Sequence, residues 1–253
     1  MVSMFSLEGK NAAVVGGASG IGEAVATAFA EHGASVLCLD VDIAGALDTA
    51  ATITEMGGEA DAGQLNILDG EAVTAAFESF NVKKGSLDIV VCTPGVNVRK
   101  PILEYTDEDI DRVLGVNLKG NAHVIQAAGR IMTSQGSGSI ILFSSIRSVV
   151  VEPGQSLYAA TKAGIVQMVR AAAAELGPSG VRVNAIAPGV IDTPLTAPIK
   201  DNPAWYSAYA ERNIFKRWAG AREMAGPTVF LASEAASYVT GTVLFADGGW
   251  TAI

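Results

Sequence analysis

Short apolar runs rich in Val, Ile and Leu alternate with longer amphipathic stretches along the whole 253-residue chain, and this alternation constrains the fold more than any other feature. The runs Asn11 to Gly16, Ala34 to Asp40, Ala60 to Leu65, Leu87 to Cys92, Ser139 to Ser144, Val181 to Ala187 and Val243 to Ala246 read as strands. Helical patterns separate them, at Gly20 to Glu31, Ile43 to Met56, Glu71 to Phe80, Asp107 to Thr133, Gln155 to Leu176 and Ala221 to Ala232. Strands that far apart cannot pair through tight hairpins. They pair in parallel through helical crossovers, and a parallel sheet must be covered on both faces. The expectation is a doubly wound α/β fold with a mostly parallel seven-stranded sheet, formed as a single domain over residues 1–253 because no linker or composition break divides the chain.

Composition narrows the partners. A net charge of −9 with scattered basic residues argues against nucleic acid and against an anionic membrane surface. No apolar run reaches the roughly 20 residues of a spanning helix, and Met1 to Lys10 has no secretory h-region. Cys38 and Cys92 sit inside apolar runs, and with only His32 and His123 besides they offer no metal-ligand spacing. These observations predict a cytoplasmic protein with reduced thiols and no metal.

Directly after the first strand comes Gly16-Gly17-Ala18-Ser19-Gly20-Ile21-Gly22, and a helix follows. Glycines there allow a tight turn, let backbone N–H groups approach a pyrophosphate, and let helix and strand pack closely. The second strand ends in Asp40, 18 residues beyond Gly22. A carboxylate at that distance accepts a hydrogen bond from an adenosine ribose 2′-OH and repels a 2′-phosphate. No Lys or Arg stands in the loop or just after Asp40, so the cofactor expected is NAD.

Tyr158 and Lys162 stand at i and i+4 and share one face of a predicted helix. A free phenol titrates near 10, too high for proton transfer at neutral pH, and a nearby cation lowers it. Ser145 ends the strand 13 residues before Tyr158, and Asn117 lies in a helical run. With the glycine loop at 16–22, Asp40, Asn184 to Gly189 with Thr193, and Asp247-Gly248-Gly249, the chain resembles the short-chain dehydrogenase/reductase family over essentially its whole length.

The resemblance implies a Rossmann-type fold and an oxidoreductase that moves a hydride between a nicotinamide and a secondary alcohol or ketone. Tyr158 is then the general acid–base. Lys162 lowers its pKa and holds the nicotinamide ribose, Ser145 holds the substrate oxygen, and Asn117 positions a water of a proton relay. Cofactor contacts carried over are Gly16, Gly17, Ser19, Gly20, Ile21, Gly22, Asp40, Asn66, Ile67, Gly95, Pro188, Gly189, Val190 and Thr193, besides Tyr158 and Lys162. The family also implies a homotetramer. The chain departs from its pattern at three places. Gly16 replaces a usual Thr, and Asn66 replaces a usual Asp. Cys92-Thr93-Pro94-Gly95 replaces Asn-Asn-Ala-Gly, which removes two bracing amides and one N–H.

The segment 192–217 breaks the alternation with Pro194, Pro198 and Pro203, then Trp205, Tyr206 and Tyr209, and Trp218 just beyond it. It reads either as a lid over the substrate or as an excursion whose aromatics seal the fold or a subunit contact. Arg147, two residues past Ser145, is a candidate contact for a polar small-molecule substrate, with Asn97 and Glu152 as further polar partners. The alternative is that Arg147 pairs with Glu152. Two other functions compete: a 3-oxoacyl thioester reductase of the same fold, against which Asp40 counts, and a non-catalytic dinucleotide-binding protein, against which the intact Tyr158 and Lys162 count.

Overall fold

The computed structural model describes residues 3–253. Seven strands form one parallel sheet: β1 (Asn11–Val15), β2 (Ser35–Asp40), β3 (Glu59–Gln64), β4 (Ile89–Cys92), β5 (Gly138–Phe143), β6 (Val181–Pro188) and, last in the chain, β9 (Val243–Ala246). Their order is β3-β2-β1-β4-β5-β6-β9, and every pairing is parallel. Period-two alternation builds a core on each face. Ala13, Val15, Ile140 and Leu142 point to one cluster, where Phe77, Phe80, Met132 and Ile165 pack. Ala12, Val14, Ile141 and Phe143 point to the other, with Val25, Phe29, Ile53 and Val229. The first face is covered by α3 (Gly70–Lys84), α5 (Asn121–Gln135) and α6 (Ser156–Leu176), the second by α1 (Gly20–Glu31), α2 (Ile43–Glu55) and α9 (Ala225–Ala232).

Two expectations change in detail. The stretch expected as one helix over 107–133 is α4 (Asp107–Leu114), a π-helical turn Gly115–Gly120, and α5. The excursion is ordered into β7 (Ile191–Asp192), α7 (Ala197–Lys200) and α8 (Pro203–Glu211), and β7 pairs with β8 (Ala219–Gly220). Tyr209, Trp218, Trp250 and Val190 form a third, smaller core there. Because β1 and β4 are neighbours while the chain leaves them in opposite directions, their C-terminal ends open a crevice where ligands of such folds bind.

Candidate active site

A cleft of about 490 Å³ runs along the C-terminal ends of the strands. At its floor Gly16 takes φ +85°, a left-handed conformation that favours glycine, and a Cβ there would stand 2.2 Å from Thr93 Oγ1. A Cβ on Gly22 would stand 1.8 Å from the Gly16 carbonyl oxygen, so only glycine lets α1 pack onto the loop. Ser19 caps α1 without spending its side chain on the helix, and it lines the cleft with Gly16, Gly20, Ile21 and Gly22. Asp40 lies alongside, its Oδ2 accepting from Ala18 N–H at 3.1 Å and its Oδ1 from Asp42 N–H at 3.1 Å. Asn66, Ile67, Gly95, Pro188, Gly189 and Thr193 complete the walls. A bare backbone cradle, a helix N-terminus and a carboxylate one strand away fit a dinucleotide.

Thr93 answers the departures read in the sequence. Its hydroxyl donates to the Val15 and Gly16 carbonyls, at 3.1 and 3.3 Å. The brace between the first and fourth strand ends is therefore supplied from position 93, and the missing side chain at position 16 leaves the room Thr93 needs. Two carried-over contacts lie elsewhere. Gly17 packs behind the loop against Cys38, and the Val190 side chain is buried in the third core while Ile191 lines the cleft. The pairing of Ile191 in β7 sets that alternation.

Tyr158 and Lys162 lie one turn apart on α6, both lining the cleft, with Lys162 Nζ 5.5 Å from the Tyr158 ring centre. Ser145 enters from the end of β5, lines the cleft with Tyr158, and accepts from Arg147 N–H at 3.1 Å through its Oγ. Ser144 Oγ donates to the Lys162 carbonyl at 2.8 Å and ties β5 to α6. Asn117 works from behind: Oδ1 accepts from Val96 N–H, and Nδ2 donates to the Val96 carbonyl and to Thr161 Oγ1, all within 3.0 Å. Its side-chain amide is thus a brace between the chain after β4 and α6. Asn117 lies within the π turn and is fully buried.

Burial pushes the Tyr158 phenol above its usual 10.0, while the Ser145 hydroxyl and the charges of Arg147 and Arg99 pull it back. Lys162 is buried too, and desolvation brings its ammonium down to about 8, against a small upward pull from Cys92. Its Nζ donates to the Phe143 carbonyl at 2.8 Å. The charges of Arg147 and Arg99 thus act on the phenol besides the Lys162 ammonium that lies 5.5 Å from its ring centre.

Arg147, Glu152 and Asn97 come together with one another and do not line this cleft. Arg147 Nη2 lies 2.7 Å from Glu152 Oε2, and its guanidinium sits between the rings of Tyr209 and Trp250, 5.9 and 5.6 Å from their centres. Gln155 and the Tyr209 hydroxyl also donate to Glu152, and Asn97 donates to Gln155 at 2.8 Å. The pairing alternative is what forms. Burying a guanidinium without a partner would be costly, and the nearby carboxylate satisfies it.

A family profile described as Enoyl-(Acyl carrier protein) reductase matches residues 16–251. The chain is 37% identical to a 3-oxoacyl-[acyl-carrier-protein] reductase of Thermotoga maritima, over 96% of this chain and 98% of that one. It is 37% identical to galactitol 2-dehydrogenase (L-tagatose-forming) of Cereibacter sphaeroides, over 98% of each. Its structure matches a gluconate 5-dehydrogenase of Burkholderia cenocepacia in complex with NADP and tartrate, with TM-score 0.96, 32% identity, and 100% and 99% of the two chains covered. The chain belongs to the short-chain dehydrogenase/reductase family and is an oxidoreductase of hydroxy compounds.

Proposed function

We propose that the protein is an NAD-dependent dehydrogenase of a small, polar secondary alcohol, with Tyr158 as its acid–base group. The observation that carries this reading is that Tyr158, Ser145 and Lys162 line the same cleft as the glycine loop and Asp40, with Tyr158 one helical turn from Lys162. In oxidation the secondary alcohol loses its hydroxyl proton to the Tyr158 oxygen while Ser145 holds the substrate oxygen. The bound nicotinamide supplies the hydride acceptor for the carbinol hydrogen, so that alcohol and NAD give the ketone, NADH and one proton. Lys162 stabilises the phenolate and passes the proton on. Ser19, Gly20, Ile21 and Gly22 would hold the pyrophosphate, Asp40 the adenosine ribose, and Pro188, Gly189 and Thr193 the nicotinamide end.

NAD is favoured over NADP because the Asp40 carboxylate stands in the ribose region without a neighbouring Lys or Arg. The reading includes a homotetramer and residence in the cytoplasm. Initial rates on a panel of polyols and hydroxy acids, with each cofactor, test it. The wild type prefers NAD by at least tenfold in kcat/KM, and Asp40→Ser narrows that preference. Equal use of both cofactors by the wild type overturns the assignment.

A further inference from the structure

Beside the catalytic cleft lies a second cavity of about 460 Å³, walled by Arg99, Glu152, Trp205, Tyr209 and Arg212. Its charges do not balance. Buried Arg147 stands behind the wall and pairs closely with the half-buried Glu152 in it, and Lys100 at the cavity edge is paired with Asp109 at 2.5 Å. Arg99 reaches Glu152 Oε2 only at 3.8 Å, and that oxygen already accepts from Arg147, Gln155 and Tyr209. Arg212 lies over the Trp250 ring, 5.7 Å from its centre, and makes no ion pair among the described residues. Two guanidinium groups thus face one cavity: Arg212 without a carboxylate, and Arg99 sharing Glu152 with Arg147 and donating to the Tyr209 hydroxyl at 3.4 Å, in a chain whose net charge is −9.

The cavity is linked to the chemistry through a layer of hydrogen-bonded side chains. Gln155, which bonds Glu152, stands three residues before Tyr158 and caps α6. Asn97 bonds Gln155 and follows Val96, which lines the catalytic cleft. The fields of Arg147 and Arg99 reach the Tyr158 phenol.

We propose that this cavity is a carboxylate subsite, in which Arg99 and Arg212 hold the acid group of a small polyhydroxy acid whose secondary hydroxyl is presented to Ser145 and Tyr158. The inference rests on the dehydrogenase reading and names its substrate class. Planar guanidinium forks match a carboxylate. Glu152 in the same wall repels a dianionic phosphate more than a monoanionic acid, so the geometry selects the carboxylate. Trp205 and Tyr209 give the carbon chain flat apolar faces. Glu152 and Arg147 do not touch the ligand; they fix Tyr209 and the 147–155 segment.

The test is calorimetric titration of the enzyme–NADH complex, unreactive toward alcohols, with two matched pairs: D-gluconate against D-glucitol, and tartrate against threitol. Each pair shares its carbon chain length and differs in carboxylate content. At least one acid binds tenfold or more tightly than its neutral partner, and Arg99→Met and Arg212→Met each weaken that acid by about tenfold while changing the neutral partner less than twofold. NADH affinity, measured first, reports folding of both variants. Normal NADH binding without acid preference in either pair, or with a preference that survives both substitutions, overturns the subsite alone. Failure of the wild type to bind NADH overturns the functional reading beneath it.

Discussion

Lys162→Met is expected to make the protein more stable at neutral pH while removing its activity. The buried ammonium titrates at about 8 instead of 10.5, because desolvation disfavours its charge. At about 1.4 kcal/mol per pH unit, that difference amounts to about 3 kcal/mol of destabilisation. The folded state holds fewer protons than the unfolded state between pH 8 and 10.5. Stability from this group therefore rises with pH through that window, and the penalty is complete below pH 8. Methionine fills the same channel uncharged but loses the bond to the Phe143 carbonyl, worth about 1 kcal/mol. The net gain at about pH 7 is about 2 kcal/mol, and it shrinks to roughly zero near pH 10 as the wild type sheds its proton. Urea unfolding of both proteins without cofactor, at about pH 7 and about pH 10, measures the difference. Cys38 and Cys92, pushed up to about 12 by burial, cost both proteins stability above pH 9; Cys38 cancels in the comparison, and Cys92, which feels the Lys162 charge, leaves a small difference. A variant less stable than wild type at neutral pH, or a difference independent of pH, would refute the reasoning.

Two further substitutions probe the scaffold. Arg147→Met removes one of four partners of the half-buried Glu152 and leaves it Arg99, Gln155 and Tyr209, so it should cost about 1–3 kcal/mol in chemical unfolding, largely recovered in the double variant with Glu152→Met. Thr93→Val removes the donor to the Val15 and Gly16 carbonyls and should cost about 1 kcal/mol, with a severalfold weaker Kd for NADH, while Thr93→Ser retains both. Loss of NADH affinity in the Ser variant as well would mean that the methyl group, not the hydroxyl, matters there.

The sheet was legible because a parallel core repeats one simple pattern: Ala12 to Val15 and Ile140 to Phe143 send alternate side chains to opposite faces, and both faces are apolar. The glycine loop, Asp40, Ser145, Tyr158 and Lys162 were legible as spacings that the fold converts into neighbours. Other features lack a local signature. The π turn at Gly115–Gly120 reads as ordinary helix, so the bracing role of Asn117 emerges only in three dimensions. Arg99, Glu152, Tyr209 and Arg212 come from three segments, and no spacing announces that they share a cavity. Thr93 and Gly16 carried a usable signal, a hydroxyl lost from one strand end and gained on its neighbour, which becomes readable once β1 and β4 are known to adjoin.

Everything proposed for the chemistry depends on the Tyr158 hydroxyl carrying the proton that accompanies hydride transfer, and Tyr158→Phe tests this with a change of one oxygen. The measurement is the initial rate of NADH formation from the best alcohol of the panel, paired with NADH binding by fluorescence. The predicted rate is at least about 100-fold below wild type, with NADH affinity within about twofold of it. A Phe variant that binds NADH normally and keeps more than about a tenth of the wild-type rate would contradict the assignment.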